Sequence, residues 1–150
     1  MEEKTNPQAQ SSIRVIIADN HSLVRQSIKI FLMKASDIEV IGEARDGYES
    51  VQLTKQLAPD VLVIDVDMLY VNGLQVIEQI RRLGLATRVV ILSTYNDETL
   101  LRQALQHGAS SYLSKDLIPA ELLPAVRVAY EGQVYQSYYH QLSNWGKDND

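Results

Sequence analysis

Several apolar runs in this chain end on residues that could do chemistry. "VIIADN" closes on Asp19 and Asn20, "VLVID" on Asp65, and "VVILST" on Ser93 and Thr94, while "SSYLSK" runs past Tyr112 into Lys115. Two carboxylates, an amide, a hydroxyl and an ammonium form a set suited to phosphoryl transfer onto a carboxylate. An Asp can accept the group as an acyl phosphate. Mg²⁺ commonly takes only one or two carboxylates, with water and phosphate oxygens completing its shell. A hydroxyl and an ammonium can bind the phosphate oxygens that remain. Taken singly, each residue has a commoner structural role. An Asp after a strand caps a helix, a Ser closes a turn, a Lys is a solvated charge, and Tyr112 is a core aromatic. Their joint placement at strand ends carries the chemical reading.

The elements that must position them alternate. Runs of strand length are Val15–Ala18, Glu39–Gly42, Val61–Ile64, Val89–Leu92 and Ser111–Leu113. Between them the apolar residues take helical spacing. Leu23, Val24, Ile28, Phe31 and Leu32 form one stripe, and Val51, Leu53, Leu57 and Ala58 a second. Leu74, Ile77, Ile80 and Leu83 form a third, and Leu100, Leu101, Ala104 and Leu105 a fourth. Asp46-Gly47 is placed to cap the second helix, Asn72-Gly73 to open the third, and Pro119 to sit in the first turn of the last. Strict strand–helix alternation implies a doubly wound α/β sandwich, (βα)₅, whose parallel sheet is covered on both faces. Such sheets place their sites at the carboxyl ends of the strands. Pro124 conflicts with this pattern, because inside a helix it removes a hydrogen bond and costs roughly 3 kcal/mol unless the helix kinks or starts late.

Composition narrows the class further. Of 150 residues, 14 are Lys or Arg and 19 Asp or Glu, with the basic residues scattered singly. No basic patch marks a nucleic-acid surface, so direct DNA binding by this chain is not expected. The absence of cysteine excludes disulfides, a thiolate metal site and a Cys nucleophile. The polar start "MEEKTNPQAQSS" lacks the features of a signal peptide, and no apolar run nears the ~20 residues of a membrane helix. A cytoplasmic location is expected. Residues 1–12 are expected to be a disordered tail. Residues 133–150 follow as an aromatic-rich tail or linker stub.

Taken together, "IRVIIADNHSLVR", "IEVIGEARDGYES", "PDVLVIDVDM", "NGLQVIEQIR", "TRVVILSTYNDE" and "GASSYLSKD" resemble a response-regulator receiver domain. The likeness is to the kind found in NarL/FixJ-type (LuxR-type) transcriptional regulators and spans residues 13–132. It implies a CheY-like sheet of order 2-1-3-4-5 and a two-component signalling domain that catalyses only its own phosphotransfer and dephosphorylation. Asp65 would be the phospho-acceptor. Asp19, Asn20, Asp65 and the backbone carbonyl of Asp67 would hold Mg²⁺. Ser93 would reorient toward the phosphate, Tyr112 would change rotamer with it, and Lys115 would bind it. The donor would be a phosphohistidine on a sensor histidine kinase. The face from Tyr95 to Tyr130 would then repack, changing contact with a partner or forming a homodimer.

The departures from the family pattern are specific. Asn20 stands where the family usually has a second acid, and Leu69-Tyr70 where Pro-Gly commonly follows the acceptor strand. Losing a carboxylate weakens Mg²⁺ binding, although an amide oxygen is still a hard ligand. If the third strand continues past Asp65, alternation points the Asp67 carboxylate the same way and restores part of the charge. The alternative is a degenerate receiver acting by phosphorylation-independent protein binding. Too few residues follow Gly132 for the family's helix-turn-helix domain, so this is either a receiver without an output domain or part of a longer regulator. Two rivals are weaker. "VLVIDVDM" is also similar to the nucleophile motif of haloacid-dehalogenase-type phosphatases, but it lies on the third strand with no later acidic pair. A flavodoxin would need a hydroxyl-rich phosphate cradle after the first strand, and "DNHSLVR" is not one.

Overall fold

The computed structural model of the chain describes residues 12–68, 71–94 and 97–135. Five strands form one parallel sheet of order β2-β1-β3-β4-β5: β1 (Ile13–Ala18), β2 (Ile38–Ala44), β3 (Val61–Asp65), β4 (Arg88–Ser93) and β5 (Ser111–Ser114). The helices between and after them are α1 (Ser22–Met33), α2 (Gly47–Leu57), α3 (Gly73–Arg82), α4 (Glu98–Gln106) and α5 (Ile118–Tyr130), the last preceded by a 3₁₀ turn at Lys115–Leu117. The expected doubly wound sandwich is the observed fold. Among the described residues, no helix is long and apolar enough to cross a membrane.

Period-two alternation along the strands sorts the core into two halves. Val15 and Ile17 pack with Ile28 and Leu32 of α1 and with Leu122, Ala125 and Val126 of α5. Ile16 and Ala18 point the other way, into a layer with Val51 of α2, Ile77 and Ile80 of α3, and Leu101 of α4. The central strand β3 has helices over both faces, so Val61, Leu62, Val63 and Ile64 are all fully buried. Its unbroken apolar run is the sequence form of that position.

Local chemistry sets the element ends. Asp46 caps α2 by accepting from the Glu49 amide at 2.8 Å, and Asn72 with Gln75 forms a capping box on α3. Strand β2 runs longer than its apolar core predicts, because its pairing with β1 skips Ile41 between Val15–Val40 and Ile16–Gly42. This bulge brings Ala44 level with Ala18, and Ala44 accepts from the Asp19 amide at 3.1 Å. Helix α5 starts at Ile118 and passes through Pro124 without a break. Its buried stripe of Leu122, Ala125, Val126 and Ala129 holds the helix across the missing hydrogen bond. The α1 stripe is narrower than its spacing predicts. Ile28 and Leu32 are buried, whereas Leu23, in the first turn, is 76% exposed.

Four helix ends use left-handed backbone, at Ala58, Gly84, Gly108 and Gly132. Ala58, after α2, has φ 46° and ψ 60°, a conformation that crowds its Cβ. We expect Ala58→Gly to stabilise the domain by about 1 kcal/mol in chemical denaturation, since glycine fits this position without that strain. At the end of α5, Gly132 (φ 83°) donates to Ala129 O at 2.9 Å and Gln133 to Val128 O at 3.1 Å, a paired Schellman closure. The chain then returns to the sheet: the Tyr135 amide donates to Ser110 O at 3.0 Å, just before β5, and its hydroxyl donates to Glu121 Oε1 at 2.9 Å. Burial and the buried Glu121 carboxylate push the Tyr135 phenol up to about 12.

Candidate functional site

Asp65 and Ser93 are the last residues of β3 and β4, Asp19 follows β1 directly, and Lys115 follows β5 directly. Parallel strands in register therefore bring all four to one rim of the sheet. Asp19 is 1% exposed and Asp65 5%. Lys115 Nζ lies 2.9 Å from Asp19 Oδ2 and 3.6 Å from Asp65 Oδ1, so one ammonium stands between two buried carboxylates. Burial pushes the Asp65 carboxyl above the usual carboxylate range. Lys115 opposes that rise and the neighbouring Asp19 charge adds to it.

Asn20 contributes a buried side-chain oxygen, Oδ1, that has no hydrogen-bond partner. Buried acceptors are ordinarily satisfied, and one left open on the residue that follows Asp19 suits a cation. Among the described residues no three acidic or His side chains are gathered as a metal centre. A cation here would rest on Asp19, Asp65 and the Asn20 oxygen with water or phosphate, a shell that Mg²⁺ accepts. The residues present fit that ion.

Ser93 and Tyr112 are both buried. Burial pushes the Tyr112 phenol up, and the Ser93 contact partly offsets it. Asp67 lies outside this cluster. The strand ends at Asp65, so alternation does not extend to Asp67, whose side chain is exposed and whose amide donates to Asp65 Oδ1 at 3.4 Å. Its charge still bears on Asp65, raising that carboxyl. Leu69, Tyr70 and Tyr95 lie outside the described residues, as do residues 1–11 and 136–150.

Three residues gained no role from the sequence. His21 donates its amide to Asp19 Oδ1 at 2.8 Å, with its ring Nδ1 3.2 Å from the same oxygen. Arg25 donates to the Asp19 backbone carbonyl at 2.7 Å and lies 3.3 Å from Glu43 Oε1. The signal was an Arg near the start of an apolar helix and an acid inside the "EVIGEA" strand, two charges that burial obliges to meet. Beside Lys115, an apolar groove of about 460 Å³ opens between α1 and the start of α5, lined by Leu23, Val24, Phe31, Ile118 and Pro119.

A rim of this kind, on a 2-1-3-4-5 parallel sheet, defines a receiver. The model of the response regulator receiver domain matches residues 15–127, and the chain belongs to that family. Its relatives place it within the NarL/LuxR group. It is 34% identical over 128 residues to the nitrate/nitrite response regulator protein NarL of Escherichia coli K12, covering 85% of this chain and 59% of that protein. It is 38% identical over 121 residues to the transcriptional regulatory protein LiaR of Bacillus subtilis, covering 81% and 57%. The chain thus spans less than two thirds of the length of these relatives. Among solved structures, a signal receiver domain from Mycobacterium tuberculosis superposes with a TM-score of 0.79 at 34% identity, over 82% of this chain and 99% of that one. The response regulator domain of Thermotoga maritima CheB superposes with a TM-score of 0.74 at 30% identity, over 80% and 97%. The relatives are regulators, which sets aside the phosphatase and flavodoxin readings.

Proposed function

We propose that this receiver accepts a phosphoryl group on Asp65 from a phosphohistidine of a sensor histidine kinase. The observation that carries the reading is the buried Asp65 carboxylate at the end of β3, facing Lys115 at 3.6 Å with Asp19 beyond it. An Asp65 oxygen attacks phosphorus, the P–N bond breaks, and its electron pair returns to the imidazole, leaving an acyl phosphate. Lys115 and Ser93 bind oxygens of the transferred group. Asp19, Asp65, Asn20 and the Asp67 carbonyl would hold Mg²⁺, which would neutralise charge during the transfer. The donor protein must approach this rim from outside, and the apolar groove beside Lys115 gives it a surface to rest on.

Phosphorylation then acts through packing. The new dianion draws the Ser93 hydroxyl toward it, so Tyr112, whose phenol the Ser93 side chain influences, and the face from Tyr95 to Tyr130 change arrangement. That face would meet a partner protein or a second copy of the chain. By analogy with LiaR, described as a transcriptional regulatory protein, the output is regulation of transcription. Residues 13–132 form the signalling unit in this reading.

A second reading is favoured by one observation: Lys115 already neutralises Asp19, and Asn20 carries no charge. A degenerate receiver would work from this state without phosphate. Intact-mass measurement with acetyl phosphate separates the two. Phosphoryl uptake that requires Mg²⁺ supports the first reading, and no uptake at any Mg²⁺ concentration supports the second. In the same assay Asn20→Asp is expected to lower the Mg²⁺ needed for half-maximal uptake by about tenfold, the worth of one added ligand charge.

A further inference from the structure

We propose that Arg25 is a positioning residue for Asp19, anchored by Glu43. The inference rests on the reading of Asp19 as an acid of the Mg²⁺ site, and concerns what keeps that acid in place. The strand pairings of β1 with β2 and β3 stop at Ala18. Beyond them the Asp19 amide still finds Ala44 O at 3.1 Å, but its carbonyl has no strand partner. Arg25 supplies one, donating to Asp19 O through Nη1 at 2.7 Å.

The guanidinium is itself held. Its Nε lies 3.3 Å from Glu43 Oε1, and Lys29 Nζ lies 3.3 Å from the other oxygen of the same carboxylate. Arg25 is 13% exposed, far less than Lys29 at 41%, so its fork is confined between α1 and β2. Glu43 and Ala44 are neighbours on β2. Both peptide groups of Asp19 are therefore tied to the same two-residue stretch, one directly and one through Arg25. With the backbone fixed on both sides, the Asp19 carboxylate cannot swing about its own peptide. Asn20, whose peptide nitrogen adjoins that carbonyl, is held with it.

Mg²⁺ demands near-ideal octahedral geometry, so a carboxylate free to wander loses affinity for it. Outer partners that orient ligands commonly matter about tenfold or more in metal affinity. A lysine could reach the carbonyl or the carboxylate, but it lacks the planar fork that spans both. A purely structural Arg25, pinning α1 to β2, would affect folding and leave the metal alone.

Calorimetric titration of the unphosphorylated full chain with MgCl₂ separates the two roles, with unfolding midpoints measured in EDTA alongside. Arg25→Gln is expected to weaken Mg²⁺ binding about tenfold, and Glu43→Gln to weaken it in the same direction by less. The Mg²⁺ giving half-maximal uptake from acetyl phosphate should rise with it, while the rate at saturating Mg²⁺ returns to the wild-type value. Wild-type Mg²⁺ affinity in Arg25→Gln, whatever its midpoint, overturns the proposal. If that variant does not fold, wild-type affinity in Glu43→Gln overturns it equally. A wild-type chain that takes no Mg²⁺ at all overturns the metal reading itself, and the role of Arg25 falls with it.

Discussion

Asp65→Asn is expected to take up no phosphoryl group from acetyl phosphate and, at the same time, to unfold at a higher temperature than wild type at pH 7. The first effect follows from removing the nucleophilic oxygen of the proposed acceptor. The second follows from burial. Desolvation holds the folded-state Asp65 carboxyl above its unfolded value, more than Lys115 can offset, and the Asp19 charge adds to it. A group whose folded pKa is raised contributes stability that is fully present below the unfolded value and is lost as pH rises through the folded one. At neutral pH the ionised Asp65 is therefore a net burden on the fold, which the neutral amide of similar shape removes. The gain should close as pH falls into the ordinary carboxylate range, where wild-type Asp65 is protonated. Melting curves from pH 7 down to about pH 4, in EDTA, test the sign. A gain that persists unchanged at the acid end would sink the burial argument, and uptake by the variant would sink the assignment of the acceptor.

Lys115→Met should move stability the opposite way. Lys115 is the cation that Asp19 and Asp65 share, at 2.9 and 3.6 Å, and it is itself only 17% exposed. Taking it away leaves two buried carboxylates facing each other, with the His21 amide still on Asp19. Breaking a buried pair from one side costs about 3–5 kcal/mol, because the remaining charge is left uncompensated. Denaturant titration at pH 7 measures that loss. It should shrink on acidification, as protonation of the raised Asp65 carboxyl removes a charge Lys115 had balanced, and shrink again with added Mg²⁺ if a cation can replace the ammonium. A loss below about 1 kcal/mol would mean that the pair behaves as a surface contact, screened by water.

The two predictions draw on parts of the molecule that differ in how plainly the sequence displays them. The strands and the rim were legible because parallel strands covered on both faces must be apolar throughout, whereas the order of the strands came with the family resemblance. The places where "VLVID" and "VVILS" turn polar are then the strand ends. Asp65 and Ser93 close β3 and β4, one residue beyond the apolar runs. The caps at Asp46 and Asn72 were legible for a similarly local reason, a side chain bonding an amide three residues on. What required three dimensions lies across the chain. The bulge at Ile41 depends on which residues of β1 it faces, and the half-buried edge strand β2 has no strict alternation to reveal it. Leu23 fits the α1 stripe by spacing, yet it stands in the first turn, on the groove beside Lys115, and is left in solvent. Asp67 obeys alternation only while the strand lasts, and it ends two residues too soon. Arg25 and Glu43 are 18 residues apart, and nothing local joins them.

The return of the chain after α5 has a mechanical consequence. Tyr135 is fastened at two points that belong to different elements: its amide to Ser110 at the foot of β5, its hydroxyl to Glu121 in the first turn of α5. The Gly132 turn leaves little slack between the helix and this clamp. If α5 slides along β5, the two fastenings cannot both stay closed, and one must yield or Tyr135 must travel. The clamp thus acts as a strain gauge across the α5–β5 seam.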